Sequence, residues 1–106
     1  MTYCWLYTTC SNQNEAAEIA KTLVEEHLIA CANIFPIVRS IYRWQGAIQD
    51  DQEAAMICKT RSDHYAEASK RLSSLHSYET PCLVKLDWKE VSAAYGQWLD
   101  EQIAPA

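Results

Sequence analysis

Two long β-prone stretches, residues 31–44 and 47–60, meet at the dipeptide Gln45-Gly46, and nothing else in the sequence limits the fold as strongly. A Gly-containing dipeptide between two such runs fits a tight hairpin turn. At about 3.3 Å per residue, strands of this length outrun the usual span of about 5–6 residues. The chain has 106 residues, enough for one domain and one core. The outer half of the hairpin therefore projects beyond anything the remainder can cover. It carries Ile41, Tyr42, Trp44 and Ile48, and an exposed apolar arm of this kind marks a subunit interface. Pro36 interrupts the first stretch; proline donates no ladder hydrogen bond, so the strand must kink or change partner there.

The flanking segments complete a pattern. Residues 3–10, Tyr-Cys-Trp-Leu-Tyr-Thr-Thr-Cys, read as a first strand with two largely apolar faces, both expected to be covered. Asn12 can cap a helix with Glu15 three residues on, and apolar positions 16, 19, 20, 23, 24 and 28 follow at helical spacing. Ser62 is placed to cap a second helix with Tyr65, Ala68, Leu72 and Leu75 inside. Pro81 opens a fourth strand through residues 82–86, and a last helix from about Ser92 carries Tyr95, Trp98, Leu99 and Ile103. The order β-α-β-β-α-β plus a terminal helix predicts an α+β, ferredoxin-like sandwich, one domain over residues 1–106.

Composition excludes several roles. The formal charge is −5, and the nine basic residues are scattered with Lys70-Arg71 as their only adjacent pair, which opposes nucleic-acid binding. The five cysteines, at 4, 10, 31, 58 and 82, form no C-x-x-C pair and sit mostly in strand-like surroundings. They read as reduced thiols of a cytoplasmic protein. The N-terminus lacks the basic region and cleavage site of a signal peptide. No run approaches the roughly 20 apolar residues of a membrane span. A Gly-rich phosphate loop, a G-x-S-x-G elbow and an H-E-x-x-H helix are all absent, so no enzyme is expected. The Arg-bearing loop of an acylphosphatase and the third-strand aromatics of an RNA-recognition domain are missing too, from Ser11–Asn14 and Ala54–Thr60.

Five motifs in register carry a family resemblance. Cys31-Ala32-Asn33-Ile34 leads to Pro36, and Ser40-Ile41-Tyr42-Arg43-Trp44-Gln45-Gly46 follows. Ile57-Cys58-Lys59-Thr60, Leu75-His76-Ser77-Tyr78-Glu79-Thr80-Pro81 and Tyr95 through Trp98-Leu99 complete the set. Together they resemble the CutA divalent-cation tolerance family. The resemblance implies a ferredoxin-like protomer in a homotrimer, shaped like the PII signalling proteins, and a link to tolerance of copper and other divalent cations.

In copper-binding relatives the site looks like a Cys near the end of the first strand plus a His pair in the turn before the fourth. Here the Cys position falls on Thr8 and the first His on Leu75, so only His76 matches. Cys10 would share a strand face with Thr8, and Cys82 stands where relatives often carry Glu. A His76, Cys10 and Cys82 cluster is the metal set to look for, suited to Cu(II) or another divalent cation. The other reading of His76 is a histidine hydrogen-bonded at a subunit seam. His27 and His64 read as solvated.

Tyr42, Trp44, Lys59, Tyr78 and Glu79, beside His76, form a second constellation, a ligand cleft between protomers. Aromatic walls and a Lys in an apolar strand suit a small anion, unless Lys59 merely pairs with Glu53 or Glu79. Two functions follow: a non-catalytic trimer of metal tolerance that needs no cofactor and binds metal weakly, or a PII-like sensor of a small anion or metabolite.

Overall fold

Burial along the first strand alternates with a period of two, and that alternation organises the fold. In β1 (Tyr3–Cys10), residues Cys4, Leu6, Thr8 and Cys10 are fully buried while Trp5 is exposed. The computed structural model describes residues 1–105. After β1 come α1 (Gln13–Glu25), β2 (Cys31–Trp44), β3 (Ala47–Arg61), a 3-10 turn (Ser62–His64), α2 (Tyr65–Leu75), β4 (Val84–Asp87) and α3 (Ala93–Gln102). The four strands form one sheet in the order β2-β3-β1-β4, with every neighbouring pair antiparallel. β3 thus inserts between β1 and β2, as the split βαβ pattern requires. No helix among the described residues is long and apolar enough to cross a membrane.

One sheet face packs on α1 and α2. Leu6 and Cys10 of β1 and Met56 and Cys58 of β3 meet Ala16, Ile19 and Leu23 of α1 and Ala68 and Leu72 of α2. Asn12 caps α1, its side-chain oxygen accepting from the Glu15 N–H at 2.9 Å. Val24, expected inside, is 39% exposed, because the buried stripe of Ala16, Ile19, Ala20 and Leu23 passes to one side of it. α1 ends with His27 in the left-handed region, where the N–H groups of His27 and Leu28 bond back to the carbonyls of Val24 and Leu23.

The other face is only partly covered, contrary to the expectation for β1. α3 closes one end of it, where Leu99 and Ile103 pack with Tyr3 and Ala30, and buried Gly96 sits against the Tyr3 ring. A side chain at Gly96 would begin 3.2 Å from the Tyr3 hydroxyl, which explains a glycine inside a helix. Trp98 turns outward from this cluster and stacks on Tyr95 at 5.6 Å. Trp5, Phe35 and Leu86 are left open.

The hairpin turns at Gln45 and Gly46, both with positive φ (49° and 80°), the pair of conformations a two-residue turn of primed type needs. The ladder skips from Phe35↔Ala55 to Val38↔Glu53, so Pro36 and Ile37 form a bulge where the missing N–H would have broken the pairing. Beyond it the arm stretches the molecule to 45 × 25 × 21 Å. Two other expectations need correction. Ser62 does not cap α2 but opens the 3-10 turn, and β4 begins at Val84, leaving Pro81–Leu83 outside the ladder.

Candidate functional site

α2 stops at Leu75, and the extended backbone of His76 carries its ring back to the end of β1. Nε2 lies 2.8 Å from the Thr9 carbonyl oxygen, and the Tyr78 N–H donates to Nδ1 at 3.0 Å. A backbone N–H can only donate, so Nδ1 is the acceptor and Nε2 carries the proton that reaches Thr9. The ring also packs against Tyr78, centroids 4.8 Å apart.

Glu15 approaches from the first turn of α1. One carboxylate oxygen accepts from the Ser11 N–H and hydroxyl, both at 2.9 Å, and the other accepts from the Ser77 N–H at 2.8 Å. Burial alone would push this carboxyl up, but the hydrogen bonds from Ser77 and Ser11 outweigh it and hold it at about 2. Cys10, fully buried at the end of β1, goes the other way. Burial first, then the charges of Glu15 and Glu53, push its thiol up to about 12.

Sγ of Cys10, a carboxylate oxygen of Glu15 and a ring nitrogen of His76 all lie within 4.8 Å of one another. Two of the three residues expected to ligate a metal are therefore together. The third, Cys82, is not in this group; it lines a neighbouring cavity, and Glu15 takes its place. Sequence reasoning assigned Glu15 to helix capping alone. The available signal was a carboxylate opening the helix that directly follows the Cys10 strand end. Thr8 is buried, and Leu75 packs against the core.

A thiol, a carboxylate and an imidazole suit a borderline cation such as Zn(II) or Cu(II). Donors around one such ion sit about 3–4 Å apart, so small movements would close the set. Each donor, however, is already committed. Cys10 would have to lose a tightly held proton, and His76 would have to surrender a backbone hydrogen bond. The donor set fits a cation, and a cation held there would have to displace those commitments.

Four of the five expected cleft residues also come together. Tyr42, Trp44, Tyr78 and Glu79 line a cavity of about 540 Å³, joined by Glu53 and Cys82. Tyr42 donates to Asp51 at 2.8 Å and Tyr78 donates to Glu53 at 2.7 Å. Lys59 is not among the lining residues. It stands opposite Cys31 in the ladder, with Nζ 3.4 Å from the Tyr95 hydroxyl and 5.6 Å from that ring's centre, paired with neither Glu53 nor Glu79. The remaining histidines divide. His27 is exposed, with Nδ1 3.0 Å from the Gln102 carbonyl oxygen. His64 is not solvated but 5% exposed, because the 3-10 turn folds it inward against Asp63 and Arg61.

A family model described as CutA1 divalent ion tolerance protein matches residues 4–102. A divalent-cation tolerance protein CutA from Archaeoglobus fulgidus is 40% identical over 99 residues, spanning 93% of this chain and 96% of that relative. Among solved structures, CutA1 from Oryza sativa superposes with a TM-score of 0.96 at 28% identity, covering 100% of this chain and 97% of its own. The periplasmic divalent cation tolerance protein CutA of Archaeoglobus fulgidus gives 0.93 at 37% identity, over 96% and 99%.

Proposed function

Because this chain belongs to the CutA1 divalent ion tolerance family, we propose that it serves divalent-cation tolerance as a non-catalytic homotrimer with weak affinity for copper-class ions. The observation that carries this reading is the convergence of Cys10, Glu15 and His76 within 4.8 Å at the meeting of β1, α1 and the α2–β4 turn. The ions are cargo, and no resident cofactor is needed. A cation would replace the Cys10 proton and draw on Glu15, whose carboxylate is already ionised across the neutral range. Weak binding suits a protein that must respond to excess metal and release it.

The same groups support the non-catalytic reading. The Cys10 thiol is held protonated and both His76 nitrogens serve the backbone, so the cluster offers no activated nucleophile and no free base. The trimer rests on the arm, where Ile41, Trp44 and Ile48 stand open in the protomer. The cytoplasmic placement rests on five cysteines without a disulfide among them. The PII-like, anion-sensing alternative gains nothing from the matched relatives, and its expected cation, Lys59, lies away from the cavity.

Native mass spectrometry of reduced protein with and without equimolar Cu(II) tests the proposal. We expect a trimer that retains one ion per protomer, and loss of that ion in Cys10→Ser and His76→Ala. Uptake by the variants equal to that of the parent would remove the site from the reading. A monomer under both conditions would remove the trimer.

A further inference from the structure

The turn between α2 and β4, residues 76–83, belongs to no helix or ladder, so its shape depends on individual hydrogen bonds. The two amides that follow His76 have the same kind of partner. The Ser77 N–H donates to Glu15 at 2.8 Å, and the Tyr78 N–H donates to Nδ1 of His76 at 3.0 Å. Both acceptors are members of the converging donor set. The groups that would hold a cation are thus the groups that hold consecutive amides of the turn.

The two acceptors differ in capacity. A carboxylate has about four lone-pair sites, so Glu15 can bind a cation and still accept from Ser77. A neutral imidazole has only one lone pair to offer and one proton to give. In His76 the proton on Nε2 goes to the Thr9 carbonyl, and the lone pair on Nδ1 goes to Tyr78. Coordination through Nδ1 takes that lone pair directly and leaves the Thr9 bond in place, an arrangement common for a metal-bound histidine. Coordination through Nε2 drives the ring proton to Nδ1, which then points a donor at the Tyr78 N–H. Either route removes the Tyr78 bond. That N–H has no other acceptor among the described residues.

We propose that the Tyr78 amide is a latch on His76 that a cation must open: loading the Cys10, Glu15 and His76 site frees this amide while Ser77 stays tied to Glu15. The inference rests on the proposed cation site and adds its conformational consequence. Loading divides the turn at one peptide. Residues up to Ser77 remain fastened to α1, and the segment from Tyr78 toward β4 loses its backbone anchor. By linkage, whatever tightens the Tyr78 bond weakens the cation by the same factor, and the reverse. All the atoms belong to one protomer, so the coupling needs no neighbouring subunit.

Zn(II), diamagnetic and suited to the same donors, is the probe. Isotope-labelled, reduced protein in its assembled state is titrated with Zn(II) to saturation, and native mass spectrometry counts the retained ions. Nuclear magnetic resonance then reads the ring nitrogens of His76 and the hydrogen exchange of the Ser77 and Tyr78 amides. We expect the His76 resonances to shift and Tyr78 exchange to accelerate about tenfold, the scale of one lost hydrogen bond, with Ser77 unchanged. Mg(II), a hard cation that prefers oxygen, should change neither. His76→Ala should show fast Tyr78 exchange before any metal is added and no further change with Zn(II). Unchanged Tyr78 exchange with zinc held at His76 would overturn the latch and leave the cation site standing. Equal acceleration at Ser77 and Tyr78 would overturn it too, since the whole turn would then loosen. Failure to retain zinc, or retention with the His76 resonances unmoved, would remove the site and the latch with it. The deciding comparison is made on the parent protein, so it stands even where His76→Ala fails to fold.

Discussion

The imidazole of His76 donates through Nε2 to the carbonyl oxygen of Thr9 at 2.8 Å, joining positions 67 residues apart. Its other nitrogen accepts from Tyr78, so one side chain ties the end of β1 to the turn between α2 and β4. Glu15 makes a parallel tie from α1 to Ser77. The candidate metal donors are thus also the fastening of three segments, and binding a cation must trade against that fastening.

Replacing His76 by Ala removes two hydrogen bonds, the shorter of them to the carbonyl of Thr9, which keeps the Thr8 hydroxyl as a longer donor at 3.4 Å. The expected loss is about 1–3 kcal/mol of stability, read from the midpoint of urea unfolding in metal-free buffer. An unchanged midpoint would mean that water replaces the ring without cost, and that His76 is free to serve a metal.

The acid limb of stability should report Glu15. Its folded pKa, about 2, lies below the ordinary value of 4.5. A depressed carboxyl contributes stability that is fully present above the ordinary value and lost as pH falls toward 2. Glu15→Gln should therefore be less stable than the parent at pH 6, and the gap should close on acidification through pH 4.5 to about 2. A gap that stays constant across that window would show that the ionised carboxylate is not the stabilising form.

Much of this was legible in the residues. Asn12 marked the start of α1, Gln45-Gly46 the turn, and Pro36 the bulge, because each acts through local backbone geometry. His76 was legible through its match to the family's turn motif, and Cys10 because it shares a strand face with Thr8, where that family's Cys falls. Glu15 was hidden by doing two jobs at once: its capping role is local, whereas its contact with Ser77 spans 62 residues and depends on how α2 is placed. Lys59 was misplaced for the same kind of reason. Its partner, Tyr95, comes from α3, and no spacing in the sequence says which strand that helix covers. His64 looked solvated because the 3-10 turn that buries it carries no periodic signal.

Arg61 provides a check on the C-terminal end of the fold. It is 4% exposed, donates to the Ala104 carbonyl, and lies 3.1 Å from Asp63 and 3.7 Å from Asp100. Removing one member of a buried ionic group costs more than removing a surface pair, because the partners lose their compensation. Arg61→Met should cost about 2–4 kcal/mol in thermal or chemical unfolding. Arg61→Lys should recover only part of that, since one ammonium cannot span three acceptors as a guanidinium fork does. Full recovery by Lys would reduce the role of Arg61 to net charge.

Trp44 decides whether the arm is an interface. It lies next to the turn, 54% exposed in the protomer, with Ile41 at 65% and Ile48 at 64% beside it. Side chains this apolar, at the tip of a hairpin far from the core, gain nothing from the fold of their own protomer. Burying one of them against a neighbour is worth about 1.5–3 kcal/mol, and in a closed ring every interface loses that amount at once. Trp44→Ala should therefore leave the unfolding of an isolated protomer nearly unchanged while shifting assembly to higher concentration. Light scattering across a dilution series separates the two effects. Dissociation of the variant at concentrations where the parent remains assembled is the expected result. An assembly that survives dilution equally well in both proteins would place the interface elsewhere, with the open sheet face around Trp5, Phe35 and Leu86 as the surface to examine next.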